Sequence, residues 1–362
     1  EKGRENLLLQ SNQFDTTWLN TSTTETGGQT GYDGSSDAWK IERVGTGGYI
    51  YQDISVSGVN TISVYAKADT LNWMRLRVGS APKNSRYFDL ENGVIGSAGT
   101  APIDAKIEAV GTDGWYRCSI TTNISIDRVY FYPVPNDGDI SGTSGNILIQ
   151  DAQFEIGTLA TDYIESGATT GKAGLLEDEP RFDYSGGATC PSLLLEGSRT
   201  NYQRYSENSA QWSQPADGLT VDYKTSETLD PSGYYGAEKV TAVGGSVRMF
   251  DALSNPAGAF TVSAFVKAGT GDIFSFRTTS GSILVEFNLL TGAITNSAGT
   301  GSIFDYGNGW YRCIATATSA GSEVIQYRFL NAFGEYVYFW GAQAEEGSYP
   351  TSYIPNHSGG SV

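Results

Sequence analysis

The pentapeptide Gly-Trp-Tyr-Arg-Cys occurs twice in this chain, at residues 114–118 and 309–313. Four further matches keep the same order along the chain, at offsets of 190 to 200 residues. They join residues 6–18 to 201–212, 61–68 to 261–268, 88–100 to 287–300, and 152–164 to 342–354. Five collinear matches indicate an internal duplication, and a period this long is unlike that of solenoid or propeller repeats. We therefore expect two homologous domains.

The matches place domain one at residues 5–166 and domain two at residues 200–357. A chain of 362 residues also exceeds the usual size of a single hydrophobic core. The connecting segment, residues 167–199, is rich in glycine but carries three consecutive leucines and two aromatic residues. Flexible linkers are rarely so apolar. We therefore expect strands of this segment to dock onto a domain, with a turn at Gly186 and Gly187.

The composition and the local patterns favour an all-β fold. The chain contains 45 glycines and 22 tyrosines, and only 17% of its residues are charged. Short segments alternate between apolar and polar residues, and turn pairs such as Asn92-Gly93 and Thr291-Gly292 separate them. No helical periodicity is visible. About ten strands in each half predict two tandem β-sandwich domains of the jelly-roll type.

The repeated pentapeptide has the pattern of a strand that both domains bury. Alternation places Tyr116, Cys118 and Ile120 on one face of the first copy, and Arg117 on the other. A free cysteine on such a face is normally a small apolar core residue. The same reasoning applies to Cys313. With Cys190, the chain has three cysteines without close spacing, so neither a disulfide framework nor a zinc knuckle is expected.

Residues 180–212 resemble a segment of tailed-phage and prophage virion proteins, of the head-spike and tail-fibre type. The resemblance is carried by Arg181-Phe182-Asp183-Tyr184, Leu193 to Glu196, Arg199-Thr200-Asn201, Tyr205-Ser206-Glu207 and Trp212. It implies concanavalin-like or carbohydrate-binding jelly rolls, located on a virion or outside the cell. It also implies contacts with a cell-surface or extracellular polysaccharide and with other virion proteins, and it permits a homo-oligomer.

Charge and hydropathy exclude several kinds of partner. The net charge of −17 disfavours binding to nucleic acids and to anionic membranes. No apolar run approaches the ~18 residues of a membrane-spanning helix, so we expect no membrane insertion.

Motifs for enzymatic chemistry are sparse. The sequence contains no Gly-x-Ser-x-Gly elbow, no His-Glu-x-x-His and no phosphate-binding loop. Its one histidine, His357, lies near the C-terminal end. No pair of carboxylates has a pattern typical of a glycoside hydrolase. A polysaccharide lyase that uses tyrosine and arginine stays open as an alternative, because tyrosine can act as both acid and base.

Two segments of domain one carry candidate ligand-binding residues. Alternation places Trp73, Arg75 and Arg77 on one face of their strand, and Arg128, Tyr130 and Tyr132 on one face of theirs. If the two strands are neighbours, one sheet face combines aromatic rings with three arginines. Such a face suits an acidic polysaccharide, since rings stack on sugars and arginine binds hydroxyls and carboxylates. Alternatively, loops cover this face and the arginines pair with aspartates.

The aligned positions of domain two retain only Arg277 and Arg328 as candidate ligand-binding residues. We therefore expect domain two to be the structural or docking copy. Carbohydrate-binding jelly rolls often contain a structural Ca²⁺, and the resemblance makes Asn12, Asp151 and Gln153 candidate oxygen ligands. Gly341 stands where domain one has Asp151. An ordinary surface aspartate is the alternative.

Three hypotheses follow. The first is a non-catalytic carbohydrate-binding virion protein that attaches to a surface glycan. The second is the tyrosine- and arginine-based lyase or depolymerase. The third is a purely structural capsid or tail decoration protein.

Overall fold

The computed structural model describes residues 4–173, 181–183, 192–194, 198–244 and 247–362. The predicted turn at Gly186 and Gly187, Cys190 and part of the virion-like segment lie outside these residues. The chain divides into two compact units, residues 1–180 and 181–362. Among the described residues, no helix has the length and apolar character needed to cross a membrane.

The described residues of the first unit form fourteen strands. They are β1 (Arg4–Asn6), β2 (Leu19–Thr21), β3 (Thr23–Gln29), β4 (Ala38–Arg43), β5 (Tyr49–Val56), β6 (Val59–Ala68), β7 (Trp73–Val78), β8 (Asn84–Asp89), β9 (Val94–Ala98), β10 (Asp104–Val110), β11 (Trp115–Asn123), β12 (Ile126–Val134), β13 (Gly145–Ile156) and β14 (Gly171–Ala173). Two six-stranded antiparallel sheets, ordered β10-β11-β6-β13-β4-β3 and β2-β5-β12-β7-β8-β9, form a sandwich. The short strand β14, in the predicted connecting segment, pairs with β1.

The second unit repeats this arrangement. Its strands are β15 (Arg181–Asp183), β16 (Ser192–Leu194), β17 (Gln214–Asp217), β18 (Leu219–Asp222), β19 (Glu238–Ala242), β20 (Arg248–Ala252), β21 (Gly258–Ala268), β22 (Ile273–Thr278), β23 (Leu284–Asn288), β24 (Ile294–Ala298), β25 (Thr300–Gly307), β26 (Trp310–Ser319), β27 (Val324–Arg328) and β28 (Tyr336–Glu346). A 3₁₀ helix spans Ser209–Gln211. The strands β15 and β16 pair with each other.

The order of strands is the same in the two sandwiches. In domain two the sheets run β25-β26-β21-β28-β19-β18 and β17-β20-β27-β22-β23-β24. Each position corresponds, strand for strand, to one in domain one. The prediction of two tandem homologous jelly-roll β-sandwiches is therefore confirmed.

Each sandwich buries an apolar core between its two sheets. In domain one, alternate residues of β7, such as Met74 and Leu76, are fully buried against residues of the other sheet such as Val64 and Ile120. Phenylalanines take a larger share of the core in domain two, where Phe274 and Phe276 occupy the same strand position as Met74 and Leu76. This inward face leaves the alternate residues of β7 and β12 on the outside of the sheet.

The two pentapeptide cysteines lie in these cores, as predicted. The Cys118 and Cys313 side chains are fully buried, and burial raises the pKa of both thiols well above the ordinary value. Since the thiolate is the reactive form, both cysteines should be inert. In a Cys190→Ser variant we expect no alkylation of the native chain by iodoacetamide and alkylation of both cysteines after denaturation, measured by mass spectrometry. Rapid labelling of either thiol in the native state would contradict this assignment.

Candidate functional site

The outer face of the sheet β2-β5-β12-β7-β8-β9 in domain one is lined by aromatic rings and guanidinium groups. We call it the Tyr/Arg face. Its members are Tyr49, Tyr51, Trp73, Arg75, Arg77, Tyr87, Arg128, Tyr130 and Tyr132.

Strands β7 and β12 are neighbours, so the two groups of candidate residues come together. In the antiparallel register Arg75 lies opposite Tyr132, and Arg77 lies opposite Tyr130. Trp73 lies opposite Val134 at the end of the same pair of strands. The sequence predicted a face that combines aromatic rings with arginines if these two strands were neighbours. They are neighbours, so this face is present in the fold.

Arg75 and Arg77 lie against tyrosine rings. The Arg77 Cζ atom is 4.4 Å from the centre of the Tyr130 ring, and the Arg75 Cζ atom is 5.3 Å from that of Tyr132. Arg75 Nη2 donates to the Ser85 hydroxyl at 3.1 Å, and Arg77 Nη1 donates to the Tyr132 hydroxyl at 3.2 Å. Neither arginine forms an ion pair with any residue in the described ranges. Both are half-buried cations that no carboxylate among the described residues neutralises.

Arg128 differs from the other two arginines. Its Nε donates to Asp53 Oδ1 at 2.5 Å, and hydrogen bonding to this carboxylate raises the pKa of Arg128. Its Cζ atom also lies 4.2 Å from the centre of the Tyr51 ring. The alternative that the arginines pair with aspartates therefore holds for Arg128, and its charge is already compensated.

The predicted contact role of Tyr130 and Tyr132 is wrong in one respect. Each is only 4% exposed, because neighbouring tyrosines and the arginine side chains cover the rings. A ring that is covered in this way cannot stack on a sugar. Instead, these two tyrosines form the layer on which Arg75 and Arg77 rest. The half-buried rings of Tyr49, Tyr51 and Trp73 remain partly accessible.

Three tyrosines of the face were not among the predicted residues. Tyr49 and Tyr51 come from β5, which pairs with β12, and Tyr87 comes from β8, which pairs with β7. The alternating segment Tyr-Ile-Tyr-Gln-Asp at residues 49–53 could have revealed the first two. Tyr87 shows no such pattern, since its neighbour Phe88 is also buried.

Trp73 lies at one edge of the face, against the edge strand β9. A Cβ atom built on Gly96 would lie 2.5 Å from the Trp73 ring and 2.6 Å from the Asp137 carboxylate. Asp137 in turn accepts hydrogen bonds from the Ser97 amide and hydroxyl, both at 2.8 Å. The connection between β12 and β13 is thereby held beside Trp73 and forms a rim to the face.

The matching face of domain two is basic but lacks the tyrosines. Arg277 is exposed and Arg328 is half-buried, and the structure adds Arg248, directly opposite Arg328 on β20. Burial lowers the pKa of Arg328, and the charges of Arg277 and Arg248 lower it further. Arg248 forms an ion pair with Asp217 at 3.2 Å. Arg248 Cζ lies 5.7 Å from the centre of the Phe250 ring, but no tyrosine layer like that of domain one supports these arginines in the described residues.

The candidate calcium ligands take part in hydrogen bonds within domain one. The Asn12 side-chain oxygen accepts a hydrogen bond from the Asp151 amide at 3.2 Å. The Asp151 carboxylate accepts one from the Tyr32 hydroxyl at 2.8 Å, and the Gln153 oxygen accepts one from the Ile164 amide at 2.6 Å. Each of the three side chains therefore accepts at least one hydrogen bond from the protein. Within the described ranges, no group of three histidine, cysteine, aspartate or glutamate residues is arranged to hold a metal ion.

No protein-family model matches this chain, and no curated protein matches it. In structure, the chain is similar to the tandem CBM22-1–CBM22-2 domain of Xyn10C from Paenibacillus barcinonensis, at 10% identity and a TM-score of 0.30, over 96% of this chain and 99% of that one. It is also similar to a cycloisomaltooligosaccharide glucanotransferase from Paenibacillus sp. complexed with cycloisomaltoheptaose, at 11% identity and a TM-score of 0.23. That match covers 89% of this chain and 47% of the enzyme. Likeness this distant carries no argument about a ligand.

Proposed function

We propose that the chain is a carbohydrate-binding protein and that the Tyr/Arg face of domain one binds an acidic polysaccharide. The observation that carries this proposal is the pair Arg75 and Arg77, which are half-buried, stacked on tyrosines and not neutralised by any described carboxylate. A guanidinium has five N–H donors, and hydrogen bonds hold only a minority of them here. Carboxylate groups of a polyuronate would accept from the remaining donors in pairs.

The aromatic rings around the two arginines support a saccharide rather than a simple anion. Trp73, Tyr49 and Tyr51 are partly accessible and flank the guanidinium groups. Such rings pack against the apolar C–H faces of sugars, while guanidinium groups bind the acidic substituents. The net charge of −17 would repel a polyanion in general, so this local basic surface would direct where it binds.

We propose that the protein binds the polysaccharide without cleaving it. A tyrosine that acts as a lyase base needs an accessible phenolate. Burial raises the pKa of Tyr132, and this effect exceeds the opposing influence of Arg77 and Arg75. The Tyr132 hydroxyl also accepts a hydrogen bond from Arg77. These features favour Tyr132 as a support for the arginines over a role as a base.

Attachment of a virion to a surface glycan is the biological setting that we propose, and it rests on the sequence resemblance alone. In that setting the protein would lie on a virion or outside the cell, in contact with other virion proteins.

The proposal is tested by binding of the full chain to polygalacturonate. Replacing Arg75 and Arg77 together by alanine should weaken binding by about 100-fold, since each charge-assisted hydrogen bond contributes about 1.5 kcal/mol or more. Binding of the unmodified chain should also weaken as salt is added. Isothermal titration calorimetry measures both effects.

A matched control removes the same charge elsewhere in the first unit, residues 1–180. Lys106 on β10 and Lys172 on β14 lie outside the sheet that carries the Tyr/Arg face. The double variant Lys106→Ala, Lys172→Ala should bind polygalacturonate within about threefold of the unmodified chain. Equal losses in the two double variants would mean that only net charge matters, and the proposed site would be wrong.

A further inference from the structure

The sheet β10-β11-β6-β13-β4-β3 of domain one and the equivalent sheet β25-β26-β21-β28-β19-β18 of domain two differ at one position. A side chain covers this position in domain one, and the position is open in domain two. In domain one, Lys67 on β6 lies opposite Trp115 on β11. In domain two, Lys267 on β21 lies opposite Trp310 on β26. The difference therefore concerns equivalent places in the duplicated fold.

In domain one, a tyrosine from the connection between β3 and β4 fills this place. The Tyr32 ring stacks on Tyr65 with ring centres 3.9 Å apart and an angle of 9° between the planes. It also lies edge-on to Trp115, and its hydroxyl donates to Asp151 at 2.8 Å. Tyr32 thereby covers the aromatic rings on this part of the sheet.

In domain two, the corresponding connection spans residues 223–237 and leaves a cleft of about 500 Å³. Asp151 has no carboxylate counterpart, because Gly341 occupies its position. The Trp310 indole donates to the Leu229 carbonyl oxygen at 2.9 Å and holds the connection at the edge of the cleft. A cleft of this volume is within the range that accepts a small ligand.

The walls of the cleft combine exposed rings with polar groups. Tyr306 is 56% exposed and Tyr235 is 42% exposed. Large aromatic rings that remain in water beside a concave surface are typical of binding sites. The centres of the Tyr306 and Phe265 rings lie 4.8 Å apart in an edge-to-face arrangement. This contact orients the Tyr306 ring in the wall of the cleft.

The charges in the cleft favour a neutral ligand over an acidic one. Lys267 donates to the Thr228 hydroxyl at 3.1 Å and forms no ion pair with a described residue. Asp230 is only 4% exposed, and one of its carboxylate oxygens has no hydrogen-bond partner among the described residues. Glu227 is neutralised by Lys239 at 2.6 Å. One cation and one buried carboxylate leave the cleft with no excess positive charge.

We propose that this cleft is a second saccharide site, which takes a neutral sugar unit between Tyr306 and Tyr235. Lys267 supplies a polar group beside the sugar hydroxyls, and the rings supply the stacking surface. The site is separate from the Tyr/Arg face in position and in the charge of the sugar that it selects. It does not depend on the acidic-polysaccharide function of domain one.

The test is binding of neutral gluco-, xylo-, manno- and galacto-oligosaccharides to the full chain at millimolar concentration, observed by saturation-transfer difference NMR and titration calorimetry. We expect at least one of the four series to bind. Tyr306→Ala and Tyr235→Ala should each weaken that binding by about tenfold or more. Both side chains are exposed, so unchanged thermal unfolding is expected and is measured for each variant.

Two controls make the result specific. Phe304 is another exposed ring of β25 that does not line the cleft, and Phe304→Ala should leave neutral-sugar binding unchanged. The Arg75→Ala, Arg77→Ala variant should also retain it, whereas Tyr306→Ala should retain binding to polygalacturonate. Failure of all four sugar series to bind, or an equal loss in Phe304→Ala, would overturn the cleft as a sugar site without affecting the Tyr/Arg face.

Discussion

Replacing Asn6 by alanine is expected to lower the free energy of unfolding of domain one by about 4 kcal/mol. The fully buried Asn6 amide donates to the carbonyl oxygens of Ala152 and Ile164 at 3.0 and 2.9 Å. Its oxygen accepts from the amides of Leu8 and Phe154 at 3.2 and 3.0 Å. Alanine would remove all four bonds, and each buried backbone group left unpaired costs about 1–3 kcal/mol.

The duplication provides a second instance of the same contact. Asn201 donates to the carbonyl oxygens of Ala342 and Ile354, and accepts from the amides of Gln203 and Ala344. Asn201→Ala should therefore destabilise domain two by a similar amount. Because domains are usually stable by only about 5–15 kcal/mol, either change removes a large part of the margin.

Urea denaturation of the full chain, followed by hydrogen exchange of peptides from each domain, separates the two effects. Asn6→Ala should lower protection in domain one, and Asn201→Ala in domain two. The matched control is Asn20→Ala, because Asn20 is exposed, and its replacement should change stability by less than about 0.5 kcal/mol. If Asn6→Ala and Asn20→Ala unfolded at the same urea concentration, the anchoring role of Asn6 would be refuted.

Raising the pH from 4.5 to 7 is expected to reduce the stability of domain two by about 3 kcal/mol through Glu238 alone. This side chain is 3% exposed, and burial raises its pKa from 4.5 to about 7. Hydrogen bonds from the Ser209 amide and hydroxyl, at 2.8 and 2.6 Å, oppose the effect of burial only in part.

The direction follows from proton binding. Between pH 4.5 and 7 the folded state holds the Glu238 proton while the unfolded state has lost it. Stability is therefore greatest below the unfolded pKa and falls as the pH rises toward the folded pKa. Burial also raises the pKa of Asp230, so a smaller slope of the same sign should remain without Glu238.

Glu238→Gln should remove most of this pH dependence, because glutamine keeps the shape of the neutral carboxylic acid and can still pair with Ser209. Urea denaturation at pH 4.5, 5.5, 6.5 and 7, followed by hydrogen exchange in domain two, measures the slope. Glu286→Gln alters a half-buried carboxylate on the outer face of the same domain and should leave the slope intact. An unchanged slope in Glu238→Gln would show that Glu238 is ionised in the folded protein.

Much of the fold could be predicted because repetition and alternation are local properties of the sequence. The repeated segments identified the duplication, and the same twelve-strand order occurs in both sandwiches. Alternation in residues 114–120 placed Cys118 in the core, where it is fully buried. Alternation in residues 73–78 likewise separated Arg75 and Arg77 from Met74 and Leu76.

The details of the site were less predictable, because they depend on which distant residues cover each side chain. The alternating pattern placed Tyr130 and Tyr132 on the correct face but could not show that arginines and other tyrosines bury them. Nor could it show that Arg128 is compensated by Asp53, which lies on a different strand. Nor could it show that the Gln153 oxygen, a candidate calcium ligand, accepts a hydrogen bond from the Ile164 amide.

The sequence by itself thus determined the two sandwiches, their cores and the strands that carry the arginines. The reason is that the side chains of a strand alternate between its two faces, and this alternation appears in residues that are adjacent in the sequence. Only the tertiary structure decided which of those arginines keeps an uncompensated charge. It alone also showed that Tyr32 covers part of a sheet in domain one, whereas the equivalent part of domain two is an open cleft. Burial and charge compensation are set by contacts between residues far apart in the chain, and no local pattern records them.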